Sequence, residues 1–242
     1  MALAALFGAA AQKAGFRREE FGEAGGVPLL ALTRRTPGPR PRIYLSGGIH
    51  GDEPAPPLAL LALMDCGEFD ARATWFICPM LNPQGFVRAT RENGAGLDLN
   101  RDYRHLASAE VRSHVRWLRR QPNFDLTLCV HEDWEARGFY LYELNPTGRQ
   151  SLARPMIDAA RAVCPVDENP LIDGREARDG IIHPPGNPAE RERWAESIYL
   201  LANHTRQSYT IESPSSLPLE TRVAALMAAV RAALAVATRA GA

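Results

Sequence analysis

Short apolar runs alternate with helical patterns along this chain, and that alternation restricts the fold more than any other feature. The runs at 27–33 (VPLLALT), 42–48 (RIYLSGG), 74–80 (TWFICPM), 125–131 (DLTLCVH), 139–144 (FYLYEL) and 208–213 (SYTIES) have strand length and little polar interruption, as strands covered on both faces do. Between them, 56–64, 108–119, 151–164 and 219–239 have helical character. In the last of these Val223, Leu226, Val230 and Leu234 share one face. Pro56 and Pro57 fall where a first helical turn tolerates proline, and Asn82-Pro83-Gln84-Gly85 reads as a turn. Strands separated by helices predict an α/β fold, a sheet packed on both faces. Residues 166–193 break the pattern with scattered glycines, prolines and charges, which predicts a long irregular segment serving as a lid or rim. There is no internal repeat, and the length of 242 residues fits a single domain over 1–242.

The charge balance is even, with 28 basic and 28 acidic residues, so no global field favours nucleic acid or an anionic membrane. No stretch approaches the ~20 apolar residues of a membrane span. The N-terminal MALAALFGAAAQK has no basic residue ahead of its apolar part, unlike a secretory signal. No two of Cys66, Cys78, Cys129 and Cys164 have C-x-x-C spacing. Three of the four lie in or beside apolar runs, which suits buried free thiols in a reducing, cytoplasmic setting. Lys13 is the sole lysine, so nearly every cation is an arginine, a shape suited to gripping carboxylates.

In α/β sheets, sites form where strands end. The strand at 42–48 delivers His50 and Glu53, that at 125–131 delivers His131, and that at 208–213 delivers Glu212. Two histidines and a carboxylate are a known catalytic zinc set, and His-x-x-Glu reaches one ion if the chain turns at Gly51. A hydrolase built on it needs a base, for which Glu212 is placed. It also needs a donor for an oxyanion and a grip for a substrate carboxylate. Arg91 and Arg101 can fill those two posts, with Asp98 as a candidate to orient a ligand histidine. Arg88 rivals Arg91. Glu132 and Asp133 could support His131, or have a solvated or structural role. His105, His183 and His204 read as loop residues, and Trp134, Tyr140 and Tyr142 as core or pocket wall.

The ordered set G-x-H-G-D-E (48–53), N-P-x-G-F (82–86), T-R-x-N (90–93), G-x-D-L-N-R (96–101), His131 and T-I-E (210–212) resembles the zinc carboxypeptidases, the carboxypeptidase A-like metallopeptidases. The resemblance implies a three-layer α/β/α sandwich with a mixed, mainly parallel sheet of about eight strands. It implies one Zn2+ per chain on His50, Glu53 and His131, with Glu212 as general base and Arg91 on the scissile carbonyl. Asn100 and Arg101 would clamp the substrate carboxylate, and Asp98 would accept from His50. The substrate would be a small peptide or N-acyl amino acid with a free carboxylate. Family branches trim peptides, release diaminopimelate from murein tripeptides, or deacylate N-acyl amino acids as succinylglutamate desuccinylase and aspartoacylase do. The last branch usually adds a β-rich domain after the base. Only residues 213–242 follow Glu212 here, which points away from that branch. A catalytically silent zinc- or peptide-binding module typically loses a ligand or the base, and none is lost here. The family's mobile tyrosine has no counterpart between Tyr142 and Tyr199. A specificity pocket is expected near Ser197, where Glu196 could meet a basic group on the substrate.

Overall fold

The computed structural model describes residues 2–239. Ten strands form one sheet: β1 (Arg17–Ala24), β2 (Val27–Arg34), β3 (Arg42–Ser46), β4 (Thr74–Cys78), β5 (Leu126–Asp133), β6 (Tyr140–Leu144), β7 (Leu171–Ile172), β8 (Arg175–Arg178), β9 (Ile181–Ile182) and β10 (Ser208–Pro214). Their spatial order is β1-β2-β4-β3-β5-β10-β6-β9-β8-β7. The central four, β4, β3, β5 and β10, are mutually parallel. Antiparallel β2 and β6 flank them, so the sheet is mixed.

The helices are α1 (Ala2–Lys13), α2 (Ala55–Asp65), α3 (Pro83–Arg88), α4 (Ala109–Leu118), α5 (Ala153–Arg161), α6 (Glu196–Asn203) and α7 (Leu219–Ala237). The central strands alternate between two cores because successive side chains leave a strand on opposite faces. Ile43, Leu45, Trp75, Ile77, Leu126 and Leu128 meet α1, α2, α5 and α7 on one face. Tyr44, Phe76, Cys78 and Cys129 meet α4 and α6 on the other. This is the expected three-layer sandwich, and it accounts for strands with no polar face. No described helix is long and apolar enough to cross a membrane. Cys78, Cys129 and Cys164 are buried free thiols, whereas Cys66 is exposed.

Three features depart from expectation. The sheet has ten strands instead of about eight. Residues 166–193 hold the short strands β7, β8 and β9, which continue the sheet beyond β6. Strands of two to four residues are too short to show a period, hence the irregular look. Strand β1 (RREEFGEA) is a charged edge strand, the composition by which sheets discourage further pairing. It joins β2 through Gly25 and Gly26, both at positive φ (58° and 77°), the twist that two-residue hairpins require. The turn at 82–85 continues as α3. Pro83 opens that helix, and Asn82 caps it by accepting from Gly85 N–H at 2.9 Å.

A polar chain crosses the second core. The Tyr103 hydroxyl donates to His114 Nδ1 (2.7 Å), and His114 Nε2 donates to Tyr44 (3.0 Å). Tyr44 in turn donates to Glu196 Oε1 (2.6 Å). Burial holds the His114 imidazole neutral, with its pKa pushed down to about 3. A folded-state value below the unfolded one means stability is full above the unfolded pKa and is lost as pH falls toward the folded one. Between neutrality and about pH 4.5 the loss from this one group should reach about 2–3 kcal/mol. Urea unfolding across that window should show it, and His114→Gln should flatten the slope. An unchanged acid slope in that variant would assign the loss elsewhere.

Candidate metal centre and active-site cleft

Because β3, β5 and β10 run parallel side by side, their C-terminal ends deliver side chains to one edge. After β3, the chain turns through Gly51 into α2. A side chain at 51 would collide with the backbone of Gly85, since a Cβ would lie 1.9 Å from its carbonyl carbon. Gly51 N–H donates to Thr90 O at 3.0 Å. The loop is thus docked backbone to backbone against α3, which sets the spacing of His50 and Glu53. From the neighbouring strand comes His131.

His50, Glu53 and His131 are all buried, and one ligand atom of each lies within 4.8 Å of the others. Glu53 Oε1 is 2.5 Å from His50 Nδ1, and Oε2 is 3.1 Å from His131 Nδ1. Ligands of one tetrahedral zinc sit roughly 3.3 Å apart at bond lengths near 2.0–2.2 Å, so the donor set and its spacing fit such an ion. His50 Nε2 donates to Asp98 Oδ1 (3.2 Å), which leaves Nδ1 unprotonated, with its lone pair available to a metal. Burial would raise the Glu53 carboxyl, but the two histidines outweigh it and pull the value down to about 2. Burial lowers the imidazoles, yet Glu53 brings both His50 and His131 above the ordinary value.

Glu212 is in register with His131 across the parallel β5–β10 pair and faces Tyr140 across β6. Burial raises its pKa to about 8, with His131 opposing and Glu53 adding to the rise. Asp98 joins several parts of the site. Its side chain caps the 3-10 turn Leu99–Arg101 by accepting from Asn100 N–H (2.9 Å). It also accepts from Arg91 Nε at 3.1 Å. Burial alone would raise its pKa, but His50 and Arg91 hold it well below the carboxylate range. Arg91 Nη1 reaches to 3.3 Å of His50 Nδ1 and 3.8 Å of Glu53 Oε1. Asn100 Oδ1 accepts from Glu196 N–H at 2.9 Å, so its amide hydrogens are free for the cleft.

All of these side chains except Asp98 and His131 line one cleft of about 820 Å³. Asp98 stands behind His50 and Arg91, and His131 behind Glu53. Arg88 is exposed on α3 and is not part of the cleft wall, so the structure brings Arg91 and not its rival to the ligands. Trp134, 73% exposed, stands at the rim, while Tyr140, buried, and Tyr142, half-buried, are part of the wall. Tyr199 is buried against Tyr103 instead, so the cleft's phenols come from β6. Glu132 is buried. It ties Arg222 of α7 (2.5 Å) and the Ala55 N–H of α2 (2.7 Å) to β5 beside His131. His183 meets Glu143 at the surface and His105 a backbone carbonyl. His204 is buried at the end of α6 against Phe124 and Tyr199, a core residue and not a loop one.

Glu196 is not part of the cleft lining, contrary to the expectation that it could meet a substrate. It is 1% exposed and lies beneath the wall that Ser197 lines. Its carboxyl accepts from Tyr44 and from Ser46 Oγ (2.8 Å), and its backbone aims Asn100. Glu196→Ala would strand both hydroxyls, at a cost of about 3 kcal/mol, readable by urea unfolding. A change under about 1 kcal/mol, the worth of an ordinary exposed contact, would show the network to be unimportant.

The catalytic-domain model of the succinylglutamate desuccinylase/aspartoacylase family matches residues 39–165, about half of the chain and the part that carries His50, Glu53 and His131. The chain belongs to this family. The expectation that the length of chain after Glu212 points away from this branch is corrected by that match, which rests on residues 39–165 alone. Among curated proteins, carboxypeptidase 2 of Trichophyton rubrum is 30% identical over 140 residues, which is 52% of this chain and 26% of the relative. That of Trichophyton tonsurans is 31% identical over 108 residues, 40% and 20% of the two chains. The chain therefore spans about a quarter or less of the length of these relatives. Among solved structures, a Shewanella amazonensis protein described as a candidate metallopeptidase superposes with a TM-score of 0.83 at 24% identity. The superposition covers 97% of this chain and 91% of that one. A metallo-carboxypeptidase of Burkholderia cenocepacia gives 0.74 at 22%, covering 99% and 69%. This family member thus shares its whole fold with metallo-carboxypeptidases.

Proposed function

We propose that this protein is a single-domain, zinc-dependent hydrolase that cleaves a C-terminal peptide or amide bond next to a free carboxylate. The observation that carries the reading is the pairing of Glu212 with His131 across β5–β10, beside a His-Glu-His cluster. A zinc ion on His50, Glu53 and His131 would supply a Lewis acid and a water of lowered pKa. Glu212 accepts the proton of the attacking water and passes it to the leaving nitrogen as the carbon–nitrogen bond breaks. The Arg91 guanidinium, fixed by Asp98, donates to the oxyanion that develops on the carbonyl oxygen. Asn100 and Arg101 hold the terminal carboxylate, which places the last amide bond over Glu212. A second reading, N-acyl amino acid deacylation, is favoured by the family match and uses the same residues in the same posts.

A panel of peptides, a murein tripeptide and N-acyl amino acids, each given to zinc-loaded protein, separates the readings. Peptide cleavage from the C-terminus is expected, and C-terminal amidation should abolish it. Hydrolysis of N-acyl amino acids alone would establish the second reading, and hydrolysis of none would overturn both.

A further inference from the structure

The start of α2 is short of backbone donors. Pro54 precedes the helix, and Pro56 and Pro57 sit in its first turn, so of residues 54–57 only Ala55 has an N–H. No side chain at the cap position bonds back to the helix. The Ala55 N–H instead donates to Glu132 Oε2 at 2.7 Å, from 77 residues away in the chain. A carboxylate there also meets the positive end of the helix. Glu53 stands two residues before Ala55, so what fixes Ala55 also fixes the backbone of Glu53. The Glu132 N–H donates in addition to Glu53 Oε2 at 3.2 Å. Glu132 therefore reaches Glu53 twice, once through the main chain of β5 and once through the start of α2. It stays outside the cluster of candidate ligands, which among the described residues is His50, Glu53 and His131.

Glu132 in turn depends on Arg222, in the first turn of α7. Arg222 Nη1 donates to Glu132 Oε1 at 2.5 Å. The Glu132 side chain is 0% exposed and that of Arg222 14%. Among the described residues, neither forms another ion pair. Arg222 Nε is buried without a hydrogen-bond partner, so hydrogen bonding does not fully offset the desolvation of the pair. A well-packed apolar pair would dock α7 as well. What it would not supply is a cation that holds Glu132 against α2. Without Arg222, Glu132 would be a lone buried carboxylate beside Glu53, and like charges at that range repel. Glu132 would then turn away from Ala55.

We propose that Arg222 is a positioning residue of the metal centre, acting through Glu132 to fix the start of α2 and with it the ligand Glu53. The inference rests on the zinc reading above but not on turnover. Its test is zinc affinity, measured by competition with a chromogenic chelator, beside urea unfolding of the metal-free chain. Arg222→Met keeps length and apolar packing and removes the charge. It should weaken zinc binding about tenfold or more, within the ~10–100-fold by which partners of metal ligands act. Arg222→Lys returns the charge and should recover most of that loss. Leu226→Ala empties a buried position on the same helix. It should lower urea stability at least as much and leave zinc affinity within about twofold. Because Arg222 acts through Glu132, adding Arg222→Met to Glu132→Gln should weaken zinc little beyond Glu132→Gln alone. Unchanged or raised affinity in Arg222→Met, equal weakening in Leu226→Ala, or no recovery in Arg222→Lys would each overturn the proposal and leave the hydrolase reading intact. If Arg222→Met does not fold, Glu132→Gln takes its place, with the same weakening expected and unchanged affinity overturning the proposal. A wild type that binds no zinc would overturn both readings.

Discussion

Glu212→Gln is expected to keep its metal and lose turnover by about 10²–10⁴. The substitution preserves shape and the register of β10 against β5, so His131 stays where the cluster needs it. What is lost is the ability to accept a proton from water. Glu212 contacts no ligand within hydrogen-bonding distance, so the zinc content measured on purified protein should match that of the wild type. Turnover is read on whichever compound of the panel the wild type cleaves. Near wild-type turnover would remove Glu212 from the role of base.

His131→Ala should have the larger effect on the metal. Purified wild type should carry about one zinc per chain. Loss of one of three ligands should weaken binding by more than the ~100-fold typical of an outer-shell change, and occupancy should drop. Unchanged zinc would mean that a different residue completes the site. The same site predicts a pH dependence. Without metal, His50 and His131 are held above their ordinary values by Glu53, and Glu212 is pushed up to about 8. Ligands must be deprotonated to bind a cation, so zinc has to displace protons. Apparent affinity should rise with pH through neutrality and fall as the imidazoles protonate. Calorimetry in two buffers of different ionisation enthalpy should show net proton release at neutral pH.

Much of this site is legible along the chain. The turn His50-Gly51-Asp52-Glu53 comes directly after an apolar run, and His131 and Glu212 each end another. The proposed ligands His50, Glu53 and His131 and the proposed base Glu212 are visible as polar groups after apolar runs, while Arg91 and the Asp98–Arg101 turn lie in the segment between α3 and α4. The T-R-x-N context already favours Arg91 over Arg88, and the structure adds a physical reason, since Arg88 is exposed on α3 while Asp98 draws Arg91 in. Glu196 shows the opposite failure. A charged residue at a helix start suggests exposure, yet Tyr44 and Ser46 of β3 bury it. Nothing within a few residues of position 196 records those partners.

The order of apolar runs and the residue types at their ends determine an α/β sandwich with two histidines and two glutamates at one sheet edge. Periodicity and strand length encode that much locally. Tertiary structure alone decides that Glu212 sits opposite His131, that Gly51 meets Gly85, and that Arg91, Asn100 and Arg101 share one cleft with Glu212. Those depend on which strands become neighbours and in what register, and that is set by packing between segments as distant in the chain as α2 and α7.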